Sequence, residues 1–216
     1  MSHFVTLVFT KKGERTVEEL LAPFDEGISY PPYVEYTREQ AIQKERKDIE
    51  DYKNSTFAKY WENPTKYEQE HSDRPEHIDY VRNEFPKRLA WTDEECYQAV
   101  AKYWDEDLIK PNGDLLSTYN PNSKWDWYQI GGRWNHYLKT LDGEATNEDF
   151  VSEIDWKDVI PFAFITPIGE WHERGEMGWW ACVSNEKEKN KWEEEFKKFV
   201  QNLDGDTIVT VVDCHI

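Results

Sequence analysis

The first hydrophobic positions of the chain predict a strand followed by a short helix. Residues 3–10 (HFVTLVFT) form a nearly uninterrupted apolar run, which indicates a β-strand. Thr16 and Glu19 then have the spacing of a capping box, in which two side chains satisfy the free backbone N–H groups of a helix start. The apolar positions that follow predict a helix that ends near Phe24.

Apolar runs return in the second half of the chain and predict further strands and one amphipathic helix. Residues 160–166 are almost entirely apolar, residues 179–183 have strand composition, and residues 207–215 are rich in β-branched side chains. Ser184 can cap a helix before the last strand, and Gly205 can end it. The apolar stripe of this helix consists of Trp192, Phe196, Phe199, Val200 and Leu203.

A polar, helix-rich stretch separates these two groups of elements. Two further capping boxes begin at Thr37 and Thr92, and each precedes a predicted helix. The helix after Thr37 has only a thin apolar stripe, which is typical of a helix on the outside of a protein. We therefore expect a single domain over residues 1–216, with residues 25–105 as a helical insertion after the first β-α unit.

The order of the predicted elements is typical of an α+β protein with a ferredoxin-like antiparallel sheet and helices on one face. In that fold the first and last strands are antiparallel neighbours at the centre of the sheet. His3, which begins the first strand, is therefore expected beside Asp213 and His215, which end the last strand. Alternation places Asp213 and His215 on one face and Cys214 on the other.

Residues 125–134 (WDWYQIGGRW) combine four aromatic rings, a glycine pair and an arginine. Alternation puts Trp125 and Trp127 on one face of an extended segment and Tyr128 on the other, and a return strand is expected over residues 133–140. Stacking rings and a guanidinium group are typical of a nucleotide site, whereas the alternative is a Trp-rich core strand with arginines paired to acidic residues. The ligand-binding candidates are Trp125, Trp127, Tyr128, Gly132, Arg133, Trp134 and Arg174.

The strand ends supply a second group of candidates. If the histidines and carboxylates converge there, they could hold Zn²⁺ or Mn²⁺ and activate a water molecule. The metal-ligand candidates are His3, His172, Asp213 and His215, with Glu173 or Glu176 as the candidate catalytic base. The spacing matches no zinc motif, and the alternative is a polar cluster in which Asp213 accepts a hydrogen bond from a histidine.

Composition and charge narrow these possibilities. The net charge of −18 over 216 residues argues against binding a nucleic-acid duplex through its phosphates, although an acidic surface can mimic nucleic acid toward a host protein. Three scattered cysteines indicate a reducing compartment, and the N-terminal apolar run is too short for a signal peptide or a membrane span. We therefore expect a cytoplasmic protein without a membrane partner; homo-oligomerisation stays open.

Four blocks of the sequence carry a resemblance to a known group of proteins. They are residues 1–4 (MSHF), 124–134 (KWDWYQIGGRW), 173–179 (ERGEMGW) and 211–216 (VVDCHI), and together they resemble a family of uncharacterised proteins encoded by phages and prophages. The resemblance covers both ends and the middle of the chain, but not the insertion. It implies a host-takeover or counter-defence role in the cytoplasm of an infected bacterium and supplies no catalytic residues.

Three functional hypotheses result, in order of preference. The first is sequestration of a small nucleotide-like ligand, such as a host immune signal, by the aromatic and Gly-Arg pocket. The second is metal-dependent hydrolysis of a nucleotide signal. The third is direct inhibition of a host protein by the acidic surface. Whether the protein is an enzyme is left open.

Overall fold

The computed structural model describes residues 2–216, except for the side chain of Trp179. The strands are β1 (His3–Thr10), β2 (Tyr33–Tyr36), β3 (Leu115–Ser117), β4 (Trp127–Ile130), β5 (Leu138–Lys139), β6 (Ala145–Thr146), β7 (Glu148–Phe150), β8 (Ala163–Ile165), β9 (Trp171–Glu173), β10 (Glu176–Met177), β11 (Val183–Ser184) and β12 (Ile208–His215). The α-helices are α1 (Val17–Leu21), α2 (Arg38–Tyr52), α3 (Ala58–Glu62), α4 (Pro64–Glu70), α5 (Pro75–Asp79), α6 (Phe85–Arg88), α7 (Asp93–Ala101) and α8 (Lys189–Gln201). None of the helices described is long and apolar enough to cross a membrane.

The first compact unit contains the residues up to Ser29 and those from Tyr119 onward. Its main sheet has the strand order β4-β12-β1-β8-β9, and β7 also pairs with β12. Strands β1 and β12 are antiparallel neighbours from the pair His3–His215 to the pair Thr10–Ile208. The predicted central pairing of the first and last strands is therefore confirmed.

The α+β class is also confirmed, but the prediction of an antiparallel sheet is wrong at one pair. Strand β8 runs parallel to β1, and its antiparallel partner β9 follows it in the chain. A ferredoxin-like sheet would instead place an antiparallel strand beside β1, so this sheet has a different order. The six middle residues of β1 and all of β8 are buried, which is the environment that parallel strands require.

Helix α8 and the segment that follows α1 pack against opposite faces of the main sheet. Phe199 of α8 stacks on Phe164 of β8, with ring centroids 4.5 Å apart. Phe24, which follows α1, contacts Trp171 at a centroid distance of 5.0 Å. Trp171 pairs with Ile165, whose side chain points away from the face of Phe164. The prediction of helices on one face is therefore wrong, because an amphipathic stripe does not specify which face of a sheet it covers.

Three local predictions in this unit differ from the structure. The expected return strand over residues 133–140 is a 3₁₀ turn at Gly132–Trp134 followed by the short β5. Residues Trp179–Ala181 also form a 3₁₀ turn, in which Trp180 has a φ of 62°. Helix α8 begins at Lys189 rather than after Ser184, because Ser184 is paired with Glu176 in the β10–β11 sheet.

The second compact unit, Tyr30–Thr118, contains α2 to α7 and the two-stranded sheet of β2 and β3. It starts and ends later than the predicted insertion of residues 25–105. Its buried side chains form three hydrophobic clusters, one of which surrounds Phe85. The predicted capping boxes at Thr37 and Thr92 are both present here, and the box at Thr16 is present in the first unit.

Candidate functional site

The pairing of β1, β12 and β4 brings four polar and aromatic side chains to one face of the main sheet. His3 lies opposite His215 in the β1–β12 ladder, and His215 lies opposite Trp127 in the β12–β4 ladder. Asp213 is two residues before His215 in β12 and therefore points to the same face. Asp126, which directly precedes β4, contacts His215, and we call His3, Asp126, Trp127, Asp213 and His215 the histidine cluster.

His3 and Asp213 form the first carboxylate–histidine pair. The Nδ1 atom of His3 lies 3.0 Å from Oδ1 of Asp213, and Asp213 is only 1% exposed. The other oxygen, Oδ2, accepts the backbone N–H of Arg133 at 2.9 Å. Because an ionised carboxylate can only accept hydrogen bonds, Nδ1 of His3 carries the proton and its Nε2 atom holds a lone pair when the ring is neutral.

His215 and Asp126 form the second pair. The Nδ1 atom of His215 lies 2.5 Å from Oδ1 of Asp126, and the backbone N–H of Asp126 donates to the carbonyl oxygen of His215 at 3.0 Å. His215 is 4% exposed, and its Nε2 atom is buried without a hydrogen-bond partner among the described residues. A buried polar atom without a partner costs about 1–3 kcal/mol, a cost that the packing and the Asp126 contact of this ring must offset.

Three aromatic rings lie against one another in this cluster. The ring centroids of His3 and His215 are 4.8 Å apart, and the ring of Trp127 stacks on His215 at 5.2 Å with an interplanar angle of 20°. Trp127 also meets His3 edge-on at 5.5 Å. Trp127 nevertheless remains 43% exposed, so one aromatic surface beside the two histidines faces solvent.

The glycine pair explains how the chain reaches Asp213. Gly131 and Gly132 have φ angles of 70° and 52°, in the left-handed region that favours glycine. A Cβ atom on Gly132 would lie 2.5 Å from the Cβ atom of Asp213. The close approach expected at these glycines is present: Asp213 lies against Gly132, and the side chains of Asn147 and Asn135 lie against Gly131. The side chain of the next residue, Arg133, is exposed and forms no ion pair in the described part of the chain.

Two of the predicted site residues lie elsewhere on the unit. His172 of β9 stacks on Phe164 with ring centroids 4.6 Å apart, and its Nδ1 atom lies 3.3 Å from Glu195 of α8. Arg174 forms an ion pair with Glu186 at 2.8 Å. Neither side chain contacts the histidine cluster in the described residues, so the structure separates Arg174 from Arg133 and His172 from His3.

The two candidate bases also have other partners. Glu173 forms an ion pair with Lys124 at 2.6 Å and accepts the indole N–H of Trp171 at 2.8 Å. Glu176 is exposed and accepts hydrogen bonds from Ser184 and Asn185 at 3.2 and 3.1 Å. These contacts hold the ends of β9 and β10, and neither carboxylate bonds to a residue of the histidine cluster.

The remaining aromatic candidates are mainly packing residues. Trp125 precedes β4, is 6% exposed and donates its indole N–H to the carbonyl oxygen of Leu21 at 3.1 Å. The prediction that Trp125 and Trp127 share a face is therefore wrong, because the strand begins only at Trp127. Tyr128 packs edge-on against Trp125 at 5.1 Å, and burial is the main cause of its raised pKa. Trp134 is half-buried against Tyr137.

Metal binding receives no support from the cluster geometry. Among the described residues, no group of three or more histidine, cysteine, aspartate and glutamate side chains could hold a metal ion. Both oxygens of Asp213 already interact with donors of the protein, Nδ1 of His3 and the backbone N–H of Arg133. This arrangement fits the alternative prediction of a polar cluster in which Asp213 accepts a hydrogen bond from a histidine. Cys214 points to the opposite face as predicted, and burial raises the pKa of its thiol to about 12.

Asp126 is the residue of the cluster that the sequence did not single out. Strict alternation placed it on the face opposite Trp127, whereas it lies just before β4 and reaches the Nδ1 atom of His215. A signal was present in the sequence. A carboxylate directly before a strand that pairs with a histidine-bearing strand is placed to orient that histidine.

Comparison of the chain with protein-family models, with curated proteins and with solved structures finds no significant match.

Proposed function

We propose that the protein binds a small nucleotide-like ligand at the face formed by the histidine cluster and Arg133. The observation that carries the proposal is the ring of Trp127, which stacks on His215 and remains 43% exposed. The Nδ1 atoms of His3 and His215 are held by carboxylates, so the two imidazole rings beside Trp127 are fixed in orientation. The neighbouring indole offers a surface on which a base can stack.

Each ligand feature has a matching group in the histidine cluster or in Arg133, whose backbone N–H donates to Asp213. Stacking of one base on an aromatic side chain contributes about 1–3 kcal/mol, and Trp127 presents the exposed ring. Arg133 presents a guanidinium group without an ion pair among the described residues, although the protein carries a net charge of −18. A guanidinium group binds phosphate through paired, charge-assisted hydrogen bonds. An anionic ring-bearing molecule therefore suits this face better than a neutral or cationic one.

The resemblance to phage and prophage proteins suggests the biological setting of this binding. A phage protein that holds a host nucleotide signal would lower its free concentration and act as a counter-defence factor in the bacterial cytoplasm. Sequestration needs only tight binding, and the positioned rings and guanidinium group of this face can supply it.

Titration calorimetry with nucleotides tests the proposal. The panel comprises mononucleotides, cyclic dinucleotides and ADP-ribose-type molecules, and at least one is expected to bind at micromolar concentration. Trp127→Ala should weaken binding roughly 5- to 150-fold, because it removes the stacking surface. Trp61→Ala, which removes another exposed indole from the second unit, should leave the affinity unchanged.

A second matched pair tests the anion contact. Arg133→Ala should weaken binding of phosphate-bearing ligands, whereas Arg174→Ala should not, because Arg174 is already paired with Glu186. If no member of the panel binds at micromolar concentration, or if both arginine variants bind as the unmodified protein does, the proposed site is wrong. Retention of a host protein that is lost at high salt would then favour the acidic-surface hypothesis.

A further inference from the structure

We infer that the His3–Asp213 pair is the general base of a metal-independent hydrolysis of a phosphodiester bond in the bound nucleotide. This inference rests on the proposed function, because the nucleotide must first bind at the histidine cluster. It differs from the metal-dependent hydrolysis considered above in its base and in needing no cation.

The first support is the way in which His3 is held. Its Nδ1 atom is bound to Asp213 at 3.0 Å, and both oxygens of Asp213 have donors, so the carboxylate is itself fixed. A carboxylate on Nδ1 selects the tautomer in which Nε2 is unprotonated, and it stabilises the imidazolium that forms when Nε2 takes a proton. His3 thus has the orientation of a general base.

The second support is access to the Nε2 atom. The side chain of His3 is 10% exposed, and its Nε2 atom is not one of the fully buried, unpartnered atoms of the described residues. The corresponding atom of His215 is fully buried. Of the two Nε2 atoms, solvent therefore reaches only that of His3, which assigns the proton transfer to His3.

The reaction balances with water as its only co-reactant. Nε2 of His3 removes a proton from a water molecule while the water oxygen bonds to phosphorus. The bond from phosphorus to the leaving oxygen breaks, and the proton on His3 passes to that oxygen. The products are a phosphate monoester and an alcohol, and no electron is gained or lost. The inference assigns Arg133, whose backbone N–H donates to Asp213 and whose side chain is exposed, to neutralise the charge that develops on the phosphoryl oxygens.

The test measures binding and turnover in the same samples of full-length protein. Cyclic dinucleotides and bis(p-nitrophenyl) phosphate are incubated with the protein in excess chelator, and products are separated by chromatography. Cleavage to the monoester is expected in chelator. His3→Asn keeps an amide N–H near Asp213 but removes the base, so it should lower kcat roughly 100-fold or more while cyclic dinucleotide binding changes only a few-fold.

Two further variants separate catalysis from folding. Asp213→Asn should lower kcat with little change in KM, because it alters the orientation of His3 rather than contact with the nucleotide. His172→Asn should cleave as the unmodified protein does, since His172 lies against Phe164 and Glu195. Circular dichroism of each variant checks that the fold is kept.

The outcomes separate this inference from the proposed function. Binding of a nucleotide that is returned intact overturns the hydrolysis and leaves the binding function in place. Cleavage that stops in chelator, or that continues in His3→Asn, also overturns the assignment of His3 as a metal-independent base. Absence of both binding and cleavage overturns the proposed function as well.

Discussion

At the scale of single residues, the histidine cluster depends on side chains that fix one another. Asp213 accepts from His3 and from the backbone of Arg133, and the second bond exists only because Gly132 brings the main chain close to the carboxyl group. The exposed arginine and the buried aspartate are therefore connected through one glycine. Any change at that glycine should affect both.

Gly132→Ala is expected to destabilise the protein more than an ordinary glycine substitution. Its φ of 52° strains any other residue, and the new Cβ atom would lie 2.5 Å from Asp213. We expect the free energy of unfolding, measured by urea denaturation, to fall by roughly 2–4 kcal/mol. The cost of backbone strain and the cost of displacing Asp213 both contribute to this loss.

Gly143→Ala is the matched control for this substitution. Gly143 also has a positive φ, 92°, but a Cβ atom there would meet nothing within 4 Å. The free energy of unfolding of this variant should fall by only about 1 kcal/mol, from backbone strain alone. Equal losses for the two variants would show that the close approach to Asp213 contributes nothing.

At the scale of elements, local signals in the sequence predicted more than long-range ones. The capping boxes at Thr16, Thr37 and Thr92 are present because they depend on residues only three positions apart. The predicted direction of β8 was wrong because an apolar run does not show whether a strand lies parallel or antiparallel to its neighbour. Its uninterrupted burial was itself the sign of parallel pairing.

The same distinction explains what could be predicted of the candidate site. The meeting of His3, Asp213 and His215 followed from the pairing of the two chain ends, which the structure confirms. Asp126 was missed because it lies just before β4, and alternation does not set the direction of a side chain outside the strand. Arg174 pairs with Glu186, a partner that its adjacency to glycine and tryptophan in the sequence could not specify.

Thr92→Ala tests the strength of one cap at this scale. Its hydroxyl accepts the N–H of Glu95 at 3.2 Å, and its own backbone N–H donates to the carboxylate of Glu95 at 2.7 Å. Loss of this cap should cost about 0.5–2 kcal/mol in the free energy of unfolding. Thr65→Ala, at an exposed position inside α4, is the control and should not destabilise the protein. A loss at Thr65 as large as that at Thr92 would contradict the assignment to capping.

At the scale of the whole molecule, the hydrophobic clusters divide between the two compact units. The cluster around Phe9 and Phe164 lies entirely in the first unit, and the three clusters of the second unit lie between Tyr36 and Leu115. Each unit therefore buries apolar side chains of its own. The histidine cluster belongs to the first unit.

Removal of the second unit is expected to leave the first unit folded. Tyr30 donates its backbone N–H to Thr118 at 2.8 Å, so the two ends of the removed segment are close and a short Gly-Ser linker can join Ser29 to Tyr119. Near-ultraviolet circular dichroism should retain the fixed tryptophan environment, and thermal unfolding should stay cooperative. Loss of the near-ultraviolet signal with retained far-ultraviolet signal would show that the first unit does not pack alone.

The pairing of β1 with β12 also sets when the histidine cluster can exist during synthesis. Because synthesis runs from the N-terminal side, His3 leaves the ribosome before its partner Asp213, which is 210 positions later in the chain. Strand β1 can pair with β8 earlier, but its pairing with β12 has to wait until β12 emerges, and no earlier species has the cluster. A chain shortened by residues 213–216 would lack Asp213 and His215, and so both carboxylate–histidine pairs, while keeping most of the hydrophobic core.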